Sequence, residues 1–152
     1  MNLIINELLR NKVLLISASA WLVAGILKTI IELVVNRKLH MSRVFGAGGM
    51  PSSHTSTVIA LTISTGYYAG ISSVPFAIAV IFAIVVIHDA VGVRQETGKQ
   101  AKVLNAMMFE SDAFSDLDFE KKLKEYIGHT PFQVLVGGVV GAIVAFVMVN
   151  YI

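Results

Sequence analysis

Cysteine is absent from the 152 residues. That excludes disulfides, thiolate nucleophiles and cysteine-ligated metals, and it leaves the redox compartment open. Charge is scarce as well: 14% of the residues are Asp, Glu, Lys or Arg, where a soluble domain carries about a quarter. The net charge is +2 and no basic run is interleaved with aromatics, so nothing points to nucleic acid. Proline occurs three times, each time where a helix can begin. What remains is apolar: 55% of the chain is hydrophobic, with a mean hydropathy of +0.74. Apolar runs near twenty residues long define an all-α integral membrane protein, a helical bundle. The amino terminus does not read as a cleavable signal, because its apolar run is too long and lacks a small-residue cleavage site.

About four transmembrane spans are expected in a single membrane domain over 1–152, at about 13–35, 53–71, 75–93 and 131–151. An amphipathic lead-in precedes them, with Glu7, Arg10 and Lys12 among leucines and isoleucines. The long polar loop over 94–130 is expected to stay helical to about Met108. A further short helix is expected to begin at a capping box of Ser115 and Asp118 and to stop at Gly128. Thr130 then reads as an N-cap with Pro131 at the first helical position. The pairs Gly66/Gly70 and Gly137/Gly141 are spaced for close helix contact. Four spans put the loops 36–52 and 94–130 on one side, with nine of the twelve Lys and Arg. Positive charge gathers toward the cytoplasm, so both termini are expected outside and that polar side inside.

The stretch Gly48-Gly49-Met50-Pro51-Ser52-Ser53-His54 stands at this boundary. Its glycines permit a close turn, and Pro51 suits a first helical position. Ser52, Ser53 and the free amides of a helix start would favour an anion. His54 can exchange a proton near neutral pH. The plain alternative is a capped helix start with a surface histidine. The side assignment adds company: His129, Arg94, Lys99 and Asp89 lie at the same face, with Lys28 and Arg37 within reach. Lys28 and Glu32 form an i,i+4 pair inside the first span, either a snorkelling lysine satisfied by its neighbour or a cation aimed into a polar cavity. Asp89 either serves the site or only pairs with Arg94 or Lys99. His88 reads as interfacial, and Lys121, Lys122 and Lys124 as a solvated face meeting anionic headgroups. Two histidines, several cations and a donor-rich helix start suit phosphate monoester hydrolysis: one histidine attacks phosphorus while the other protonates the leaving oxygen.

The segment Pro51-Ser52-Ser53-His54 resembles the Pro-Ser-Gly-His signature of type 2 phosphatidic acid phosphatases, relatives of the vanadium-dependent haloperoxidases. With the stretch from Asp89 through Leu104-Asn105 and with Gly128-His129-Thr130-Pro131, nearly the whole chain resembles a divergent branch. This branch comprises small bacterial and plant membrane proteins described as acid phosphatase/vanadium-dependent haloperoxidase-related. The resemblance implies that His54 protonates the leaving group, that Ser52 and Ser53 bind phosphate, and that His129 is the nucleophile, with Arg94 beside the phosphate. The chain departs from the parent pattern in two places. There, an Arg precedes the nucleophilic His by a few residues, whereas 34 residues separate Arg94 from His129. Gln133 stands where the parent has the Asp that orients the histidine, and Asp89 is a candidate replacement. Lys28 and Arg37 only loosely echo the parent's first signature, a Lys followed by an Arg-Pro pair.

The favoured function is therefore a membrane phosphatase that hydrolyses a lipid-linked or other phosphate monoester or pyrophosphate, with no metal or cofactor. A bacterial plasma membrane is expected, with the site facing the cytoplasm as the charge distribution puts it. Two other readings stand beside it. One is a non-catalytic phospholipid- or anion-binding or transport-related protein, and the other a helix bundle acting as an interaction partner. Four spans are fewer than the six of the parent fold, which makes a homodimer an option.

Overall fold

The computed structural model describes residues 2–37, 49–110, 122–123, 125 and 128–152. They form six helices and, among the described residues, no strand: α1 (Asn2–Arg10), α2 (Lys12–Asn36), α3 (Ser53–Ala69), α4 (Val74–Val91), α5 (Val93–Glu110) and α6 (Pro131–Tyr151). The capping box at Ser115 and Asp118 and the short helix expected after it lie outside the described residues, apart from isolated positions, as do Lys121 and Lys124.

Local chemistry sets the helix ends. The Asn11 side chain accepts the Leu14 N–H at 3.1 Å and starts α2. Arg37, in the left-handed region at φ 51°, stops it by donating its N–H to the Leu33 carbonyl. Ser73 caps α4: its hydroxyl accepts the Phe76 N–H at 3.2 Å and donates to the Gly70 carbonyl at 2.7 Å. Gly92 alone separates α4 from α5. Thr130 opens α6 with the expected cap, and Pro131 occupies the first turn.

Two expectations are corrected. Pro51 is not the first helical residue. Ser52 is the N-cap and α3 begins at Ser53, because a serine that can accept a backbone N–H outcompetes proline as the boundary. Gly70 makes no helix contact; it ends α3 at φ +89°, and a Cβ there would meet nothing within 4 Å.

The bundle is built around α3, which packs against α2, α4 and α6. Ser56, Ala60 and Ser64 have no exposed surface, and Ser56 donates its hydroxyl across to the Ala20 carbonyl of α2 at 3.1 Å. The core is small-residue packing of Ile16, Ala20, Ala60, Ala145 and Val149. Large apolar side chains such as Ile26, Ile30, Ile81, Ile84, Leu135 and Ile143 point outward and are exposed. This inversion is what lipid as solvent allows: close backbone approach and buried hydroxyls inside, bulk outside. Three helical stretches, Lys12–Val35, Val74–Phe109 and Pro131–Tyr151, are long and apolar enough to cross a bilayer. With 17 residues, α3 rises about 25 Å and lies enclosed among them.

The glycine pair on α6 serves this interior. A Cβ on Gly137 would lie 2.5 Å from the Ser52 carbonyl oxygen, and one on Gly141 would press on the Ser56 carbonyl. That face is consumed within the chain and does not offer itself to a second copy. Gly138, between them, has only ordinary contacts at 3.9 Å. Gly141→Ala should therefore cost about 1–3 kcal/mol, the usual penalty of overpacking, and Gly138→Ala almost nothing, as read by thermal unfolding in detergent micelles. Equal stability of the two variants would refute the close approach.

Candidate active site

Three chain segments converge where α3 and α6 begin and α4 passes into α5. The backbone stitches them together. The Ser52 N–H donates to the Gln133 carbonyl at 3.2 Å, tying the start of α3 to that of α6, and the His129 N–H donates to the Ala90 carbonyl at 3.0 Å. Gly128 makes the second join possible, because a Cβ there would lie 2.5 Å from Gln95 Cα. Gly49, at φ +82°, turns the chain onto the aliphatic stem of Lys28, 3.5 Å from where its own Cβ would stand. A side chain at residue 49 would be strained in that conformation.

The side chains brought together are His54, His129, Lys28, Arg94 and Asp89. His54 is exposed on the first turn of α3, within the electrostatic reach of Arg94, Lys28 and Asp89. His129 is 3% exposed, and the charges of Lys28 and His54 act on it. Lys28, deep in α2, is also 3% exposed. It is turned into the bundle, and its charge acts on both histidines. Asp89 forms an ion pair with Arg94, both side chains being about one-third exposed (35% and 38%). It thus holds the guanidinium next to His54. The orienting partner of His129 is Gln133.

The geometry around Gln133 determines the histidine tautomer. Gln133 Oε1 accepts the Thr130 N–H at 3.1 Å, completing a capping box in which Thr130 Oγ1 accepts the Gln133 N–H at 3.3 Å. A backbone N–H can only face the amide oxygen, so the same oxygen meets His129 Nδ1 at 3.2 Å. Nδ1 must then carry the proton, and in the neutral ring Nε2 keeps its lone pair. Burial pushes the His129 pKa below 6.5, and the charges of Lys28 and His54 push the same way. The Gln133 hydrogen bond and the Gly49 backbone oppose them. The net result is a neutral imidazole at neutral pH.

Of the other expected site residues, Ser52 and Ser53 are buried at the same junction, whereas Arg37 and Lys99 are exposed. Ser52 has no exposed surface, and its hydroxyl oxygen accepts from the Thr55 hydroxyl at 3.0 Å and the Thr55 N–H at 3.4 Å; it caps and joins. Ser53 is buried at the first position of α3. Arg37 is exposed at the end of α2, about 13 Å along the helix axis from Lys28 at 1.5 Å per residue. Lys99 is exposed and paired with Glu96 at 2.7 Å, yet it helps line a cleft of about 360 Å³ that reaches His129, Gln133 and Gly49. Sequence reasoning missed Lys102, Glu125 and Asn105 around that cleft. A buried asparagine inside a helix was a usable signal, but a glutamate in a charged loop carries none.

Fold and site together define a class: a helical integral membrane protein whose histidines, lysine and arginine converge where its polar connections meet the bundle. The chain belongs to the divergent PAP2 family, whose profile matches residues 9–144. It is similar to the uncharacterized membrane protein YuiD of Bacillus subtilis (strain 168), at 37% identity over 155 residues, covering 95% of this chain and 98% of that protein. No solved structure matches it.

The role of Gln133 is directly measurable by NMR titration of the His129 ring in micelles. The wild-type ring should carry its proton on Nδ1 and titrate below 6.5. In Gln133→Glu a carboxylate favours the imidazolium, so the pKa should rise. An unchanged titration would show that residue 133 does not hold this histidine.

Proposed function

We propose that the protein is a membrane phosphatase acting on a lipid-linked phosphate monoester or pyrophosphate through a phosphohistidine on His129. The observation that carries this reading is the buried His129, held by Gln133 with Nε2 as its basic nitrogen, beside Lys28, His54 and the Arg94–Asp89 pair. In the first step Nε2 attacks phosphorus, the bond from phosphorus to the leaving oxygen breaks, and His54 donates a proton to that oxygen. In the second, His54 takes a proton from water, the water oxygen attacks phosphorus, and the N–P bond breaks to free inorganic phosphate. Lys28 and Arg94 balance the charge on the phosphoryl oxygens. The bound dianion also offsets the repulsion these cations exert on a protonated His54, so the acid becomes competent as substrate arrives. The excess of Lys and Arg in the two connecting loops supports a site facing the cytoplasm from a plasma membrane.

The amide at position 133 also favours a second reading, binding of a lipid phosphate without turnover, since it does not support an imidazolium as a carboxylate does. The two separate in one assay. The purified protein should release phosphate from lipid phosphates without added divalent metal. His129→Ala should abolish release, and His54→Ala should reduce it about 10²–10⁴-fold, the usual worth of a general acid. Release that survives both substitutions rules out this mechanism, while lipid-phosphate protection against unfolding without release favours binding. Because the mechanism needs His129 neutral and His54 protonated, kcat/KM should not fall as pH is lowered to 6.5 and should decline only below it, where His129 protonates.

A further inference from the structure

Much of the cleft beside His129 is walled by groups that this mechanism leaves unused, among them Lys99, Lys102 and Glu125. A carboxylate in a cleft that receives a phosphate dianion calls for an explanation, because like charges oppose each other there. Glu125 is held in place. Asn105, 2% exposed within α5, donates one amide N–H to the Leu123 carbonyl at 2.9 Å and the other to Glu125 Oε1 at 2.8 Å, while its oxygen accepts the Leu123 N–H at 2.8 Å. Both donors of a buried amide are thus spent on fixing one short segment and its carboxylate. Among the described residues, nothing donates to the second Glu125 oxygen, and Lys102 has no partner.

A ligand that fills this cleft has to meet acceptor and cation together. An apolar group would strand both. An ammonium would satisfy Glu125 but face two lysines, only one of them paired, with Glu96. A hydroxyl donates to the carboxylate and accepts from an ammonium, so it satisfies both. About 360 Å³ is the space of roughly twelve waters at ~30 Å³ each. That is room for a phosphorylated polyol, with any lipid tail left in the bilayer.

We propose that Glu125, positioned by Asn105, is a specificity determinant that receives the hydroxyls of a polyol headgroup on the phosphorylated substrate. The proposal rests on the phosphatase reading above, and a matched pair of probes separates the two. The full chain in detergent is assayed with sn-glycerol 3-phosphate and with n-propyl phosphate, which differ only in hydroxyls. Wild type should favour the glycerol ester in kcat/KM roughly ten- to hundredfold, the worth of hydrogen bonds to a charged group. Glu125→Gln should bring that ratio close to one, and Asn105→Ser should do likewise. A wild-type ratio near one, or a ratio unchanged in Glu125→Gln, overturns the proposal. If neither ester is hydrolysed, the headgroup site is read from binding instead, and the phosphatase reading fails only if lipid phosphates are left intact as well. Glycerol phosphate should then protect wild type against thermal unfolding more than propyl phosphate does, and should lose that advantage in Glu125→Gln. Equal protection by the two esters in wild type overturns it.

Discussion

The rest of the molecule depends on the close approach of α3 and α6. Two glycines on α6 let its backbone lie against the carbonyls of Ser52 and Ser56. Only at that distance can the Ser52 N–H reach the Gln133 carbonyl. This single hydrogen bond puts two helix starts side by side, one bearing His54 on its first turn, the other preceded by His129 and carrying Gln133. In lipid such packing has to come from shape and hydrogen bonding, because apolar side chains gain nothing from leaving one hydrocarbon for another. The glycines and buried serines therefore stabilise the bundle and set the site geometry by the same contacts.

Around that junction the chain keeps charge out of water. A lysine buried to 3% exposure inside a membrane bundle is disfavoured unless acceptors meet its charge. Arg94 is partly offset by Asp89. His129 answers the same surroundings by staying neutral. The junction thus gathers cations and a neutral ring, and the phosphatase reading rests on that combination.

Much of this was legible in the residues, and what was not has identifiable reasons. The helix start at Thr130 followed from its cap, and the small-residue face of α6 from its glycine spacing. The assignment at Pro51 failed because two good starting signals stood next to each other and the serine prevailed. The link between His129 and Gln133 could not be drawn from helical periodicity, since His129 precedes the helix. It arises because a glutamine at the third helical position folds back to the cap and brings its oxygen under the imidazole. Asp89 stood as a candidate replacement on paper; in the structure it pairs with Arg94. The wall formed by Asn105 and Glu125 depends on a contact between residues 20 apart, which no local pattern encodes.

The amide at position 133 can be understood as charge balance. Lys28 and Arg94 act on the histidines, Asp89 pairs with Arg94, and His129 is neutral. A carboxylate at 133 would stabilise the His129 imidazolium and raise the pKa of the ring. Glutamine keeps the orientation and the tautomer without adding negative charge. On the proposed phosphatase reading, this forgoes support for a cationic histidine, useful once the N–P bond must break, in return for a ring that is unprotonated when the dianion arrives. On that reading attack is favoured and release of the phosphohistidine is the step left with least help. That is also why turnover and tight lipid-phosphate binding are the two behaviours between which this site has to be placed.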